Sequence, residues 1–144
     1  MNLESIKKIK SKNLLKKYKE KIDKEILDYI PSLGKKTDLR DACEYSLLSK
    51  GKRLRPILVL MVADSMKSKN DVMQAALANE FFHTASLIAD DLPSMDNETH
   101  RRGKTTLHLK YGESVALLAS YSLISEGYLL ICENAKKLKN ADHI

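Results

Sequence analysis

Residues 81–104 of this chain read FFHTASLIADDLPSMDNETHRRGK, and the interpretation of the whole fold depends on this segment. It begins as an apolar run with helical spacing, continues into aspartates on both sides of Pro93, and ends in a basic cluster. Proline disfavours helical geometry in the residue before it and has no backbone donor. The segment therefore predicts a helix that ends near Asp91 and is followed by a turn.

The aspartates of this segment, Asp90, Asp91 and Asp96, are expected to need a cation. Asp90 and Asp91 lie at the carboxyl end of the predicted helix, where the helix dipole is negative, and they also repel each other. Carboxylate ligands favour Mg²⁺, which takes one or two of them and completes its shell with water and phosphate oxygens. In an unbroken helix Asp90 and Asp96 would lie about 120° apart around the axis, so only a break at Pro93 can bring Asp96 back.

The composition favours a single all-α domain over residues 1–144. Hydrophobic residues make up 43% of the chain, and there are only 5 glycines and 3 prolines among long runs of helix-forming residues. A chain of 144 residues is long enough to bury a core. Periodic apolar positions predict helices over residues 3–30, 38–51, 57–66, 71–91 and from about 113 onwards, with Thr37 or Asp38 capping the second.

Several features favour a cytoplasmic protein without a nucleic-acid partner or an integral membrane segment. Cys43 and Cys132 lack metal-ligand spacing and follow no secretory signal, which predicts reduced thiols. The longest strongly apolar stretches, residues 57–63 and 115–118, are too short to span a bilayer. The net charge is +6, but the lysines alternate with apolar residues at helical spacing and no aromatic platform accompanies them.

The hexapeptide GKRLRP at residues 51–56 predicts an anion site. Pro56 suits the first turn of the third predicted helix, and Lys52, Arg53 and Arg55 lie directly before the positive end of that helix. Free backbone N–H groups and side-chain cations would then face the same ligand. A loop of solvated basic residues remains the alternative for this hexapeptide.

His83 and the arginine doublet extend the set of candidate residues. His83 lies two turns before Asp90 on nearly the same helical face, at about 20° and about 10.5 Å. Arg101 and Arg102 follow in a predicted loop, where adjacent side chains point apart and can serve two anions. A role in the core remains open for His83, and pairing with the aspartates remains open for the two arginines.

Three motifs, GKRLRP, DDLPSMD at residues 90–96 and RRG at residues 101–103, resemble those of the trans-isoprenyl diphosphate synthases. This family includes the farnesyl and geranylgeranyl diphosphate synthases, and the aspartate spacing is similar to that of its bacterial and plant branch. The resemblance covers roughly residues 20–135, the N-terminal half of the family's fold. It implies an isoprenoid-synthase-type helical bundle, of which this chain carries about five to six helices, and a homodimer.

The resemblance also implies a Mg²⁺-dependent condensation of isopentenyl diphosphate with an allylic diphosphate, and it assigns the site residues. The catalytic residues would be Asp90, Asp91, Asp96 and Arg101, with the three aspartates as the metal ligands. The substrate-binding residues would be Lys52, Arg55, His83, Arg101 and Arg102. Arg101 would contact the allylic diphosphate, and the other four would contact the diphosphate of isopentenyl diphosphate.

The resemblance also relates product length to the residues one turn before the first aspartate. In the family, bulk at these positions blocks the growing tail, and this chain carries Ala85 and Ser86 there. The resemblance therefore implies a C20 product in preference to a C15 product, with Phe82 as a floor for the tail.

Two departures from the family pattern affect this interpretation. The family's second aspartate-rich motif, which binds a third Mg²⁺, does not occur before Ile144, and its loss should lower the rate by orders of magnitude. The pair Ala119 and Ser120 stands where relatives usually carry Gly-Asp, which questions the local packing. A non-catalytic protein that binds diphosphate or a full-length synthase partner is therefore the alternative function.

Overall fold

The computed structural model describes residues 3–138, with side chains for residues 13–138. Its six α-helices are α1 Leu3–Tyr29, α2 Asp38–Leu47, α3 Leu54–Ser65, α4 Met73–Asp90, α5 Leu107–Tyr111 and α6 Glu113–Lys136. A 3₁₀-helix, Ile30–Leu33, joins α1 to α2. Two short antiparallel strands, β1 His100–Arg101 and β2 Lys104–Thr105, follow α4 as a hairpin. The predicted all-α class is confirmed.

The boundaries of the first two helices follow the local sequence signals. α1 ends at Tyr29 and Pro31 lies in the 3₁₀-helix, as its fixed φ and missing donor predict. Thr37 is the N-cap of α2, and its Oγ1 accepts a hydrogen bond from the backbone N–H of Arg40 at 3.2 Å. Both features were predicted from the sequence.

The segment between α2 and α3 begins earlier in the chain than predicted, and it also ends earlier than predicted. α2 ends at Leu47, before the predicted end near Gly51, because a guanidinium from the following loop binds the carbonyl of Leu47. α3 begins at Leu54, three residues earlier than predicted, and Pro56 accordingly lies in its first turn. The hexapeptide therefore forms both the loop and the start of α3.

The core forms where α4 and α6 pack against each other, with α1, α2 and α3 around them. Its largest fully buried apolar side chains include Ile22, Ile26, Leu47, Phe81, Leu123 and Leu130. The ring of Phe81 makes an edge-to-face contact with Tyr29 at 5.4 Å between centroids. Burial of each such side chain stabilises the fold by about 1.5–3 kcal/mol.

Small residues on α6 allow its close approach to α4. Ala119 is fully buried, and the buried Ser120 donates a hydrogen bond from Oγ to the carbonyl of Ala85 at 3.0 Å. A Cβ on Gly127 would lie 2.6 Å from Cε1 of Phe82, so the aromatic ring occupies the space that a side chain would take. The Ala119 and Ser120 pair is thus accommodated in the α4–α6 contact.

Much of the outer face of α6 is apolar and exposed. Its exposed large side chains are Leu117, Leu118, Tyr121, Ile124, Tyr128, Leu129 and Ile131. Among residues 3–138, α6 is the one helix whose length and composition would allow it to cross a membrane. The short apolar stretches considered in the sequence did not indicate such a helix. A helix inside a bundle passes the same test, and α6 packs against α2, α4 and α5.

Candidate functional site

Four predicted substrate-binding residues lie around one open groove. The groove has a volume of about 530 Å³, within the usual range for small-molecule sites, and lies between the start of α3, the middle of α4 and the hairpin. Its lining includes Lys52, Arg55, His83 and Arg102. Residues separated by up to 50 positions in the chain are therefore brought together around one groove.

The tip of the hairpin delivers Arg102 to this groove. Arg102 and Gly103 both have positive φ, 54° and 77°, as a type I′ turn between two strands requires. A Cβ on Gly51 would lie 2.4 Å from Nη1 of Arg102, so the guanidinium rests directly over a residue that has no side chain. Gly51 is thus a site residue that the sequence motif contained but whose role was not anticipated.

His83 lines the groove among cationic groups. Its Nε2 lies 3.4 Å from Nη2 of Arg102. Partial burial lowers the pKa of His83, and the nearby charges of Arg55, Arg102 and Arg101 lower it further, while Glu80 acts in the opposite direction. An anion in the groove would offset the repulsion among these groups.

The end of α4 brings Asp96 back towards Asp90. The helix stops at Asp90, and in the turn that follows the N–H groups of Met95 and Asn97 both donate to the carbonyl of Leu92. The backbone N–H of Asp96 donates to the carbonyl of Asp90 at 2.9 Å. The turn at Pro93 therefore brings the two ends of the DDLPSMD motif together, as its spacing predicted.

Asp91 and Arg101 form an ion pair at this end of α4. Asp91 is 5% exposed, its Oδ1 accepts a hydrogen bond from Nε of Arg101 at 2.6 Å, and the same oxygen lies 2.5 Å from Nη2 of that guanidinium. The hydrogen bond to Asp91 raises the pKa of Arg101. Pairing with an aspartate, which the sequence left open for both arginines, is thus realised by Arg101, whereas Arg102 points to the groove.

The predicted three-aspartate metal cluster is not preassembled. Within the part of the chain that the structure describes, no three His, Cys, Asp or Glu side chains converge in a metal-binding arrangement. Asp91 is occupied by Arg101, while Asp90 is half-buried and Asp96 is exposed at the same turn. Two carboxylates with phosphate oxygens form a hard-oxygen ligand set, so the residues present fit Mg²⁺.

Of the three cations in the hexapeptide, Arg53 also lines the groove, but all three of its guanidinium nitrogens donate hydrogen bonds within the fold. Its side chain turns inward, is 5% exposed and pairs with Glu80 on α4. Glu80 precedes His83 by three positions, so the sequence indicated a polar face of α4. It did not indicate that Arg53 is the buried partner of Glu80. Only Lys52 and Arg55 of that hexapeptide present their charges outward.

The two small residues predicted to set product length differ in their surroundings. Ala85 is fully buried, and its carbonyl is bonded by Ser120 of α6. Ser86 is exposed, with its Oγ donating to the carbonyl of His83 at 2.9 Å. Phe82 packs edge-to-face against Tyr128 at 5.1 Å. Of the two positions, only Ser86 borders open space in the described part of the chain.

Comparison with known proteins identifies consistent relatives. Residues 36–143 match the family described as polyprenyl synthetase. The chain is 44% identical over 105 residues to geranylgeranyl pyrophosphate synthase 10, mitochondrial, of Arabidopsis thaliana, which covers 72% of this chain and 30% of that protein. It is 39% identical over 125 residues to farnesyl diphosphate synthase of Bacillus subtilis, which covers 86% of this chain and 42% of the relative.

The fold leads to the same family. The crystal structure of a geranyltranstransferase from Thermotoga maritima superimposes with a TM-score of 0.77 at 38% identity, covering 83% of this chain and 45% of that one. The chain thus spans less than half the length of these three relatives. Since the family match extends over most of its length, this chain belongs to the polyprenyl synthetase family and corresponds to the N-terminal half of its members.

Proposed function

We propose that this chain carries the diphosphate-binding half of a Mg²⁺-dependent prenyltransferase that condenses isopentenyl diphosphate with an allylic diphosphate. The observation that carries the proposal is the placement of Lys52, Arg55, His83 and Arg102 around one groove. The names of the relatives, geranylgeranyl and farnesyl diphosphate synthases, agree with such an activity.

The groove is the proposed site for the diphosphate of isopentenyl diphosphate. Lys52 and Arg55 flank the first residues of α3, where backbone N–H groups without helical partners also attract an anion. Arg102 adds a planar guanidinium from the hairpin, which suits bidentate phosphate binding. His83 completes the set with one ring nitrogen that donates to an anion.

The turn after α4 is the proposed site for the allylic diphosphate. Asp90 and Asp96 would hold Mg²⁺, with Asp91 contributing through Oδ2, the oxygen that Arg101 does not occupy. When bound, Mg²⁺ neutralises charge on the departing diphosphate. Asp91 orients the guanidinium of Arg101, which contacts the same diphosphate and stabilises its negative charge as it leaves.

These two sites account for the proposed reaction. The allylic C–O bond would break to release inorganic diphosphate, the double bond of isopentenyl diphosphate would attack the resulting carbocation, and a proton would then pass to the released diphosphate, which leaves a prenyl diphosphate five carbons longer. The contribution of this chain is to hold two mutually repelling diphosphates near each other with separate sets of cations. We further propose that the protein is a homodimer in the cytoplasm. We also propose a C20 product, since the exposed Ser86 leaves space beside α4.

A non-catalytic role is the second candidate. The exposed apolar face of α6, with residues such as Leu118 and Tyr121, favours a chain that associates with another polypeptide. In that case the chain would bind diphosphate or a full-length synthase without turnover.

Incubation of the purified chain with Mg²⁺, labelled isopentenyl diphosphate and geranyl or farnesyl diphosphate tests the proposal. Formation of a longer labelled prenyl diphosphate, lost in Asp90→Ala, supports the enzyme, and its chromatographic length tests the C20 assignment. Magnesium-dependent binding of diphosphate without product supports the non-catalytic role. Absence of both binding and product would contradict the proposed function.

A further inference from the structure

We propose that Arg53 is a positioning residue that keeps the side chains of Lys52 and Arg55 directed at the groove. This inference rests on the proposed function, because it concerns how the same groove is held in a binding geometry. Arg53 itself does not contact the groove anion in this proposal. It acts through the backbone on either side of it.

The guanidinium of Arg53 joins three parts of the fold. Its Nε donates to Oδ1 of Asp23 on α1 at 2.9 Å, and its Nη1 donates to Oε1 of Glu80 on α4 at 2.6 Å. Its Nη2 donates to the carbonyls of Leu47 at 2.7 Å and Ser49 at 3.3 Å, at and just after the end of α2. A planar group with several fixed donors can satisfy such a set of acceptors, whereas a lysine cannot.

The charge of this group is balanced within the fold. Burial opposes ionisation, but the hydrogen bonds to Asp23 and Glu80 outweigh it and raise the pKa of Arg53. Glu80 is 1% exposed, and Asp23 is also paired with Lys19 on the same helix. The guanidinium thus stays charged and locked between two carboxylates.

The backbone at Arg53 is left-handed, with φ 53° and ψ 33°, a conformation that is costly for a residue with a side chain. Arg53 is the N-cap of α3, and its carbonyl accepts from the N–H of Ile57 at 3.1 Å. As a result the side chain of Arg53 points into the protein, while Lys52 and Arg55 on either side of it are exposed. The buried contacts hold this conformation in place.

The link to α4 connects the loop with the remaining groove residues. Glu80, which holds Arg53, lies one turn before His83, and both residues line the groove from the same part of α4. Fixing Arg53 to Glu80 therefore fixes the distance between the Lys52 and Arg55 charges and His83. A purely structural role would instead predict lower stability with an unchanged groove.

Calorimetric titration of the chain with inorganic diphosphate in the absence of Mg²⁺ distinguishes these roles. The variant Arg53→Met/Glu80→Gln removes both buried charges together and so avoids leaving one unpaired. At a temperature where circular dichroism shows that this double variant is folded, it should bind inorganic diphosphate about tenfold more weakly than the wild type does. This change is comparable to the loss of one charge-assisted hydrogen bond. Arg53→Lys, which retains the charge but not the planar fork, should bind more weakly than the wild type.

Arg40→Met is the matched control, since Arg40 is a largely buried arginine that pairs with Asp41 and Glu44 on its own helix. It should lower the melting temperature without changing diphosphate affinity. Wild-type affinity in the folded double variant would overturn the positioning role and leave the proposed function intact. A wild-type chain that does not bind diphosphate, or that binds it regardless of Lys52→Ala, would overturn both.

Discussion

Nη2 of Arg102 lies 3.4 Å from Nε2 of His83, although one residue is at the tip of a hairpin and the other is in the middle of α4. Two groups that can both donate hydrogen bonds thus lie next to each other in the groove. This proximity favours the neutral form of the imidazole when no anion is present. It also leaves room for an anion to bind both groups, so protonation of His83 and binding of diphosphate are expected to be coupled.

Titration of His83 followed by NMR should show this coupling. In the free chain the pKa of His83 is expected below its ordinary value, because burial and the neighbouring arginines disfavour the charged form. The folded state therefore binds fewer protons than the unfolded state in the window below about pH 6.5. His83 contributes stability above that window, and this contribution is lost as the pH falls through the folded-state pKa.

Binding of inorganic diphosphate should raise the pKa of His83. One component of the diphosphate affinity should therefore increase as the pH falls. The replacement His83→Gln should remove this component, and the exposed His100→Gln serves as the control for changes in the ligand's own charge. A His83 pKa at or above its ordinary value in the free chain would contradict this account of the groove.

The replacement Gly51→Ala should weaken diphosphate binding although it removes no charge. The new Cβ would lie 2.4 Å from Nη1 of Arg102, and a flexible arginine end can move away from it. We therefore expect about tenfold weaker binding, as for the loss of one charged hydrogen bond. The melting temperature should change little.

Gly127→Ala provides the comparison for Gly51→Ala, because its Cβ would meet the ring of Phe82 at 2.6 Å. That variant should lose stability, by about 1–3 kcal/mol for an overpacked contact, and keep its affinity for diphosphate. Equal affinity of Gly51→Ala and the wild type would show that the position of Arg102 does not matter.

The aspartates are expected to differ in their contribution to metal binding. Asp90→Asn and Asp96→Asn should each abolish the gain in diphosphate affinity that Mg²⁺ produces, because the two carboxylates are the proposed ligands. Asp91→Asn should retain part of that gain while weakening the hold on Arg101. Calorimetric titrations with and without Mg²⁺ measure the difference. If all three variants lost this Mg²⁺-dependent gain to the same extent, Asp91 would be a metal ligand equivalent to Asp90 and Asp96.

The side chain of Asn134 should stabilise the junction of α6 with the start of α4. Its Oδ1 accepts from the N–H of Ala75 at 3.2 Å, and its Nδ2 donates to the carbonyl of Asp71 at 2.6 Å. Asn134→Ala should cost about 1–2 kcal/mol in the free energy of unfolding, as for a lost helix cap. Asn79→Ala on the exposed side of α4 should stay within about 0.5 kcal/mol of the wild type in the same denaturant titration.

Local signals in the sequence predicted five of the six described α-helices and the turn at Pro93, but not the short helix α5 or the hairpin before it. Pro31 and Thr37 act on their immediate neighbours, so their effects are visible without the fold. The return of Asp96 to Asp90 follows from Pro93 in the same way. The grouping of Lys52 with the other groove residues came from the family resemblance rather than from spacing alone.

The inward turn of Arg53 could not be predicted from its own segment. Its partners Asp23 and Glu80 lie 30 and 27 positions away, on helices whose relative placement is set by the whole core. The same holds for the ion pair of Arg101 with Asp91, which decides which aspartates remain for a metal. In each case tertiary packing places a buried charged group next to its partner.

We propose that Lys52, Arg55, His83 and Arg102 form a diphosphate site separate from the aspartates. Titration of the chain with isopentenyl diphosphate in EDTA tests it most directly, using the wild type, Lys52→Ala and Asp90→Asn. We expect saturable binding without metal, which Lys52→Ala weakens by about tenfold or more and Asp90→Asn leaves unchanged. Binding that is absent without Mg²⁺, or that depends on Asp90 and not on Lys52, would contradict it.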